Sequence, residues 1–240
     1  FIRAYCISDK GVSYSKEVFS FTTGSLGSSL GGEYKKYGDQ HWTLENYGEI
    51  SYQDGTSIPQ VTDATEWANL TTGAWCYYDN DPSKGKLYNW YAVAGIHDND
   101  PNTPNKEFAP VGWHVPTDAD WTTLENYLIA NGYNYDGTTT GNKIAKAMAS
   151  KTGWNTSASA GSPGNNQSNN NSSEFNALPI GYRETNGGFF NEGNDVIFWT
   201  SSGNYSNSNA SYRHLNKDNS SFNPWSYSMK MGYLLSIALT

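Results

Sequence analysis

The chain lacks any apolar run near 18 residues, so it carries no sequence signal for a membrane-spanning helix. It also lacks a Lys/Arg cluster. Its 15 basic residues are outnumbered by 23 acidic ones, for a net charge of −8. Binding nucleic acid through its phosphates needs a basic face, so that class of function is not expected. Cysteine is nearly missing. Cys6 and Cys76, in what read as different units, could form one bridge at most and make neither a disulfide framework nor a zinc site. Apolar residues are scarce at 36%, but nine Trp and eighteen Tyr argue against disorder, since disordered chains are poor in aromatics. What remains is a globular chain of 240 residues, rich in β-structure and loops, with 24 Gly for turns. That length suits one domain and a fragment of another.

The first block, "FIRAYCISDKGVSYSKEVFSFTT", holds two alternating runs, Phe1–Ile7 and Val18–Thr22, around a turn at Asp9-Lys10-Gly11. It reads as a β-hairpin, which alone would be marginal and needs sheet partners. It resembles the last two strands of a fibronectin type III or immunoglobulin-like domain, which implies upstream domains in a longer protein. Residues 24–32 form a Gly/Ser stretch suited to a linker. Residues 33–240 are then expected to form the main domain.

In that domain "DATEWANL" reads as a short helix capped by Asp63, and "LYNWYAVAG" as a buried segment. "VPTDADWTTLENYLIANG" is the clearest helix. Thr117 is an N-cap, Asp120 stands three residues on in the capping-box position, and Trp121, Leu124 and Leu128 form the apolar stripe. "GNKIAKAMASKTGW" reads as a second helix, with Ile144, Ala147 and Met148 facing inward. Residues 155–173 are low-complexity and polar, and read as a long surface loop. Asn186-Gly187 signals a hairpin turn, "VIFWTSS" a strand, and "MGYLLSIALT" a final strand central in a sheet. Strands and loops, then two helices, then strands, give an α+β class.

Six segments, "QHWTLENYGEISYQDGTSIPQVTDATEWANLTTGAWCYY", "GKLYNWYAV", "GWHVPTDADWTTLENYL", "FNALPIGYR", "FWTSS" and "GYLLSIAL", resemble in order and spacing the Fibrobacter succinogenes major paralogous domain. Members occur in secreted, surface and phage-associated proteins of Bacteroidetes-type bacteria. The resemblance implies a C-type lectin-like fold of the formylglycine-generating-enzyme type, with two main helices, small antiparallel sheets and long loops. That broad fold also serves the variable proteins of diversity-generating retroelements, in which Asn codons of a C-terminal segment are diversified. The stretch 203–228, in which 16 of 26 residues are Asn, Ser or Tyr, looks like such a segment.

Tyr and Trp give rigid contact area, and Ser and Asn give adaptable hydrogen bonds, which is the composition of a paratope. The candidate ligand-binding residues are Asn204, Tyr205, Asn207, Tyr212, His214, Asn216, Asp218, Phe222, Asn223, Trp225 and Tyr227. Tyr212 alternates with His214 and Asn216, while Leu215 points the other way. The blander alternative is a polar surface with no ligand.

"DNDP" occurs at residues 79–82 and 98–101. Its oxygens suit Ca²⁺, which takes about six to eight, but Asx-type turns ending in Pro are favoured. Asp98 and Asp100 are the candidate metal residues; no other cofactor is expected. Catalysis is not expected. The four His are scattered, HExxH and GxSxG patterns are missing, and nothing pairs Glu45, Glu66, Asp118, Glu125 or Glu174 as a glycosidase would. The related formylglycine-generating enzymes need a C-terminal cysteine pair, and no Cys follows Cys76. His114 is expected to be a structural hydrogen-bond partner, and most Trp side chains to be core.

The expected function is non-catalytic recognition of a cell-surface protein or glycan by an extracellular, cell-surface or phage-tail protein. The alternatives are a carbohydrate-binding lectin, with or without calcium, and a structural surface module.

Overall fold

In the computed structural model, residues 5–8, 11–14, 33–204, 209–228, 230–236 and 238–239 are described. The chain divides into two units, Phe1–Gly31 and Gly32–Thr240. In the first, β1 (Tyr5–Ser8) pairs antiparallel with β2 (Gly11–Tyr14), Ser8 opposite Gly11. The second strand therefore starts at Gly11, inside the expected turn; the run 18–22 and the stretch 24–32 lie outside the described residues.

The second unit begins with the hairpin β3 (Tyr34–Tyr37) and β4 (Gln40–Thr43). Helix α1 (Ala64–Ala68) follows, its N-cap Asp63 accepting from the Glu66 amide. Strands β5 (Trp75–Tyr77) and β6 (Lys86–Tyr88) pair antiparallel. Asn89 then caps the single turn α2 (Trp90–Val93) by accepting from Ala92 N. Helix α3 (Asp118–Ala130) starts on a full capping box between Thr117 and Asp120, and buries Trp121, Leu124 and Leu128. His114 Nε2 lies 2.9 Å from the Asp120 carboxylate, so the ring braces the same cap.

The expected second helix shrinks to one turn, α4 (Ala145–Met148). Ile144 offers no capping side chain, and Ala149 turns extended to bridge Ala177 in parallel, so a tertiary pairing ends the helix. Among the described residues α3 is thus the one long helix. The stretch 155–173, expected as a surface loop, is partly interior. Ser162, Asn170 and Ser173 are buried, and Asn170 Nδ2 donates to the carbonyls of Ser150 and Pro163. Short polar side chains bind the loop's own backbone there, so its low complexity does not leave it loose.

Strands β7 (Tyr182–Arg183) and β8 (Phe189–Phe190) form the hairpin of the Asn186-Gly187 turn, with Gly187 at φ +85°. Then come β9 (Asp195–Asn204), β10 (Asn209–Asn216) and β11 (Asn223–Ser228), an antiparallel sheet with β10 in the middle. The expected last strand is regular only at β12 (Ala238–Leu239), on the edge of the β12-β4-β3 sheet. Upstream of it, Gly232, Tyr233 and Leu234 make isolated bridges to Arg183, Tyr88 and Phe198. The segment is central by burial but stitches three elements together instead of lying in one sheet.

The architecture is mixed α and β, with small antiparallel sheets and few helices. Eight of the nine Trp are buried, and Trp225 alone is exposed. Trp42, Trp121, Phe175, Phe198 and Phe222 share one core cluster; Trp75, Trp90, Trp199 and Tyr233 belong to another. With few aliphatic side chains, the bulky rings fill the interior. Cys76 is a free buried thiol, its pKa pushed up to about 11 by burial, against the opposing charge of Arg183. Arg183 is wholly buried. Its guanidinium lies 4.4 Å from the Trp67 ring and donates to the carbonyls of Val61, Thr62 and Asp63.

Candidate functional site

Antiparallel partners share a face, so the ladders of β9, β10 and β11 sort the residues of the segment. Trp199, Tyr212 and Trp225 form one rung; Ile197, His214 and Asn223 form the next. Asp195 stands opposite Asn216, and Ala210 opposite Tyr227. These residues point to one side of the sheet. Val196, Phe198, Arg213, Leu215 and Pro224 point to the other.

That other side is bound to α3. The Arg213 guanidinium lies 2.8 Å from Asp118 Oδ1 and 3.3 Å from Glu125 Oε2, and donates to Thr122 Oγ1. Burial raises the pKa of Glu125, a shift that Arg213 opposes. Arg213 and Leu215 are both buried, so the polar composition of this stretch conceals two anchoring residues.

On the near side, the sheet and its neighbours enclose a cavity of about 250 Å³. Its walls include Tyr182, Glu184, Asp195, Tyr212, Tyr227 and Tyr233. Tyr233 packs on Trp199, ring centroids 4.4 Å apart, and Tyr212 meets Tyr233 edge-on at 5.0 Å. These contacts fix the Tyr212 and Tyr233 rings by packing, and Trp199 Nε1 also donates to the Tyr88 carbonyl at 2.8 Å. At the rim, His214 Nε2 lies 2.8 Å from Asp195 Oδ1. The same carboxylate accepts from Asn216 Nδ2 at 2.6 Å and Asn191 Nδ2 at 2.5 Å. Burial acts to raise the pKa of Asp195, but His214, Asn216 and Asn191 together outweigh it and hold the carboxyl below its ordinary value. The Tyr212 hydroxyl is pushed up to about 12, first by burial and then by Tyr182 and Asp195. An aromatic pocket with an anionic rim can take up an aromatic, hydroxylated or cationic group.

The sequence-based candidates divide. Tyr212, His214 and Tyr227 line the cavity. Asn216 joins its rim through Asp195, and Asn223 and Trp225 continue the same face. Asp218 does not belong. It sits in the exposed turn after β10, where Lys217 pairs with it at 2.7 Å. Phe222 is a correction: it is fully buried against Trp121, 5.4 Å between centroids, and is a core residue. Asn204 ends β9, opposite Asn209 in the ladder; Tyr205 and Asn207 lie outside the described residues. Sequence reasoning missed Tyr182, Glu184, Asp195 and Tyr233. The alternation of Tyr182 and Glu184 about the inward Arg183 was a usable signal for the first two.

Asp98 and Asp100 border a separate cavity of about 280 Å³. Asp98 Oδ1 accepts from Asp100 N, and Asp100 Oδ1 from Asn102 N. Asp81 likewise accepts from Ser83 N in the first "DNDP". Both copies therefore form Asx turns. Among the described residues, three or more His, Cys, Asp or Glu side chains are nowhere grouped to hold a metal ion. No described helix is long and apolar enough to cross a membrane.

Fold and site thus define a mixed α and β domain that carries an aromatic sheet face. The model of the Fibrobacter succinogenes major domain matches residues 36–237. The chain belongs to that family. No curated protein and no solved structure matched it.

Proposed function

We propose that this chain is a non-catalytic recognition module of a surface-displayed or phage tail-associated protein, contacting a cell-surface protein or glycan. We read its main domain as C-type lectin-like and the β1–β2 hairpin as the end of an immunoglobulin- or fibronectin-like domain. One observation carries the reading: Tyr212, His214, Asn216, Asn223, Trp225 and Tyr227 share a single sheet face, and Trp225 and Tyr227 are exposed on it. Large exposed aromatics on a rigid sheet, beside Asn and Ser, are the anchors that recognition surfaces use.

Binding to glycan and surface-protein arrays, with and without chelator, tests this. Trp225→Ala and Tyr227→Ala should abolish the array signal, while Ser226→Ala, on the opposite side, keeps it. Face variants that bind like the parent overturn the reading. A signal lost with chelator would move it toward a calcium lectin. Diversification is tested on DNA, by looking for a near-copy of the segment encoding residues 199–232 beside a reverse transcriptase gene. Differences should fall at 212, 214, 216, 223, 225 and 227 and spare the buried Ala210, Arg213, Leu215 and Phe222.

A further inference from the structure

The cavity beneath the recognition face is unusual in what faces it. Four tyrosines, Tyr182, Tyr212, Tyr227 and Tyr233, stand around it with the carboxylate of Glu184, and among the described residues no Lys or Arg lines it. Two neighbouring cations turn elsewhere. Lys230 Nζ donates to the Ala68 carbonyl, and Arg183 lies over the Trp67 ring. The imidazole at the rim, His214, is committed to Asp195.

Among the described residues Glu184 has no counter-ion. The only hydrogen bonds its carboxylate accepts from the described residues are long ones from Thr185, 3.3 Å from N and 3.5 Å from Oγ1. The ion pairs of the described residues do not include it. Nor does any of the four tyrosine hydroxyls hydrogen-bond to a described residue. The carboxylates near these rings point the same way. Glu184 beside Tyr233, and Glu184 and Asp195 beside Tyr182, each raise the hydroxyl pKa after the larger effect of burial, which keeps the phenols neutral and leaves the two carboxylates as the negative charge. The cavity therefore has a negative potential, π-rich walls and unused acceptor oxygens.

A ring face attracts a cation, and the attraction grows when the cation is desolvated. A primary ammonium also brings three N–H donors, which the free hydroxyls and Glu184 can accept. The volume, about 250 Å³, is below the ~300 Å³ at which cofactor-sized pockets begin, and suits the end of one side chain.

We infer that this cavity binds a primary ammonium, the side chain of a lysine presented by a protein partner, with Glu184 as counter-ion and the four tyrosines as its cage. This rests on the recognition reading above and names the group that the face takes up.

The test is an NMR titration of the full chain carrying ¹³C-labelled tyrosine. The probes are N-acetyl-lysine amide, its neutral counterpart N-acetyl-norleucine amide, and a set of methyl glycosides. The lysine probe should shift the Tyr212, Tyr227 and Tyr233 signals saturably, more weakly as salt rises, and norleucine should not. Glu184→Gln, nearly isosteric and only half-buried, should weaken the lysine response about fivefold or more with its circular dichroism unchanged. Equal shifts with norleucine, or an unchanged affinity in Glu184→Gln, overturn the inference. A response to a glycoside but not to lysine overturns it and leaves the recognition face standing. Silence to every probe overturns it too. Silence together with full array binding by Trp225→Ala and Tyr227→Ala removes the underlying reading as well.

Discussion

Tyr212 and Trp225 stand directly opposite each other on β10 and β11, yet Tyr212 packs against Trp199 and Tyr233 while Trp225 is 60% exposed. One rung of the sheet thus joins a ring held in place to a ring left in water. An exposed side chain contributes little to folding, so Trp225→Ala should change stability by less than about 0.5 kcal/mol. Tyr212→Ala removes a packed ring and should cost about 3 kcal/mol. Urea unfolding of both variants checks the contrast, and equal costs would contradict it.

Arg213 carries the opposite side of that sheet. Removing a buried cation leaves Asp118 and Glu125 facing each other without it. Arg213→Met should destabilise the domain by about 2–3 kcal/mol, below the range for fully buried pairs because Asp118 is half exposed. Glu125 is already raised by burial, and Arg213 opposes that rise, so its pKa should climb further in the variant. Carboxyl NMR on the folded variant reads this shift directly; a fall in the Glu125 pKa would count against the arrangement.

Asp195 gives the domain an acid dependence of defined sign. Its folded pKa lies below the ordinary carboxylate value, so its contribution is complete above about pH 4. It is lost as the pH falls through the lowered folded value. Asp195→Asn should therefore cost about 1–3 kcal/mol at neutral pH and much less near pH 2. Chemical denaturation of parent and variant at the two pH values measures the gap, which must narrow in acid.

Two glycines with nearly equal φ test backbone strain against crowding. Gly55 at +86° has open space where a Cβ would stand, so Gly55→Ala should cost about 1 kcal/mol. Gly187 at +85° would drive a Cβ into the backbone of Ala64. Its carbonyl also receives Arg183 Nε at 3.0 Å. Gly187→Ala should cost at least about 2 kcal/mol more than Gly55→Ala. Thermal unfolding of the pair gives the comparison, and equal losses would refute the crowding.

Much of the local structure was legible in the sequence because short-range chemistry dictates it. Asp63 before α1, the Thr117–Asp120 box before α3, the Asn186-Gly187 turn and the alternation of Tyr212, His214 and Asn216 all act within a few residues. The six family segments were also readable, and the match over residues 36–237 bears them out. The tertiary structure alone decided the rest. Ala149 left its helix to meet Ala177, and the polar loop folded inward to bond its own carbonyls. Phe222 sank against Trp121 while Trp225, three residues on, stayed in water. The cavity joins Tyr182 and Glu184 to Tyr212, Tyr227 and Tyr233, from separate elements. Propensity and capping act along the chain, whereas burial and the sharing of a cavity depend on which elements pack together, and that is settled by contacts between residues far apart in sequence.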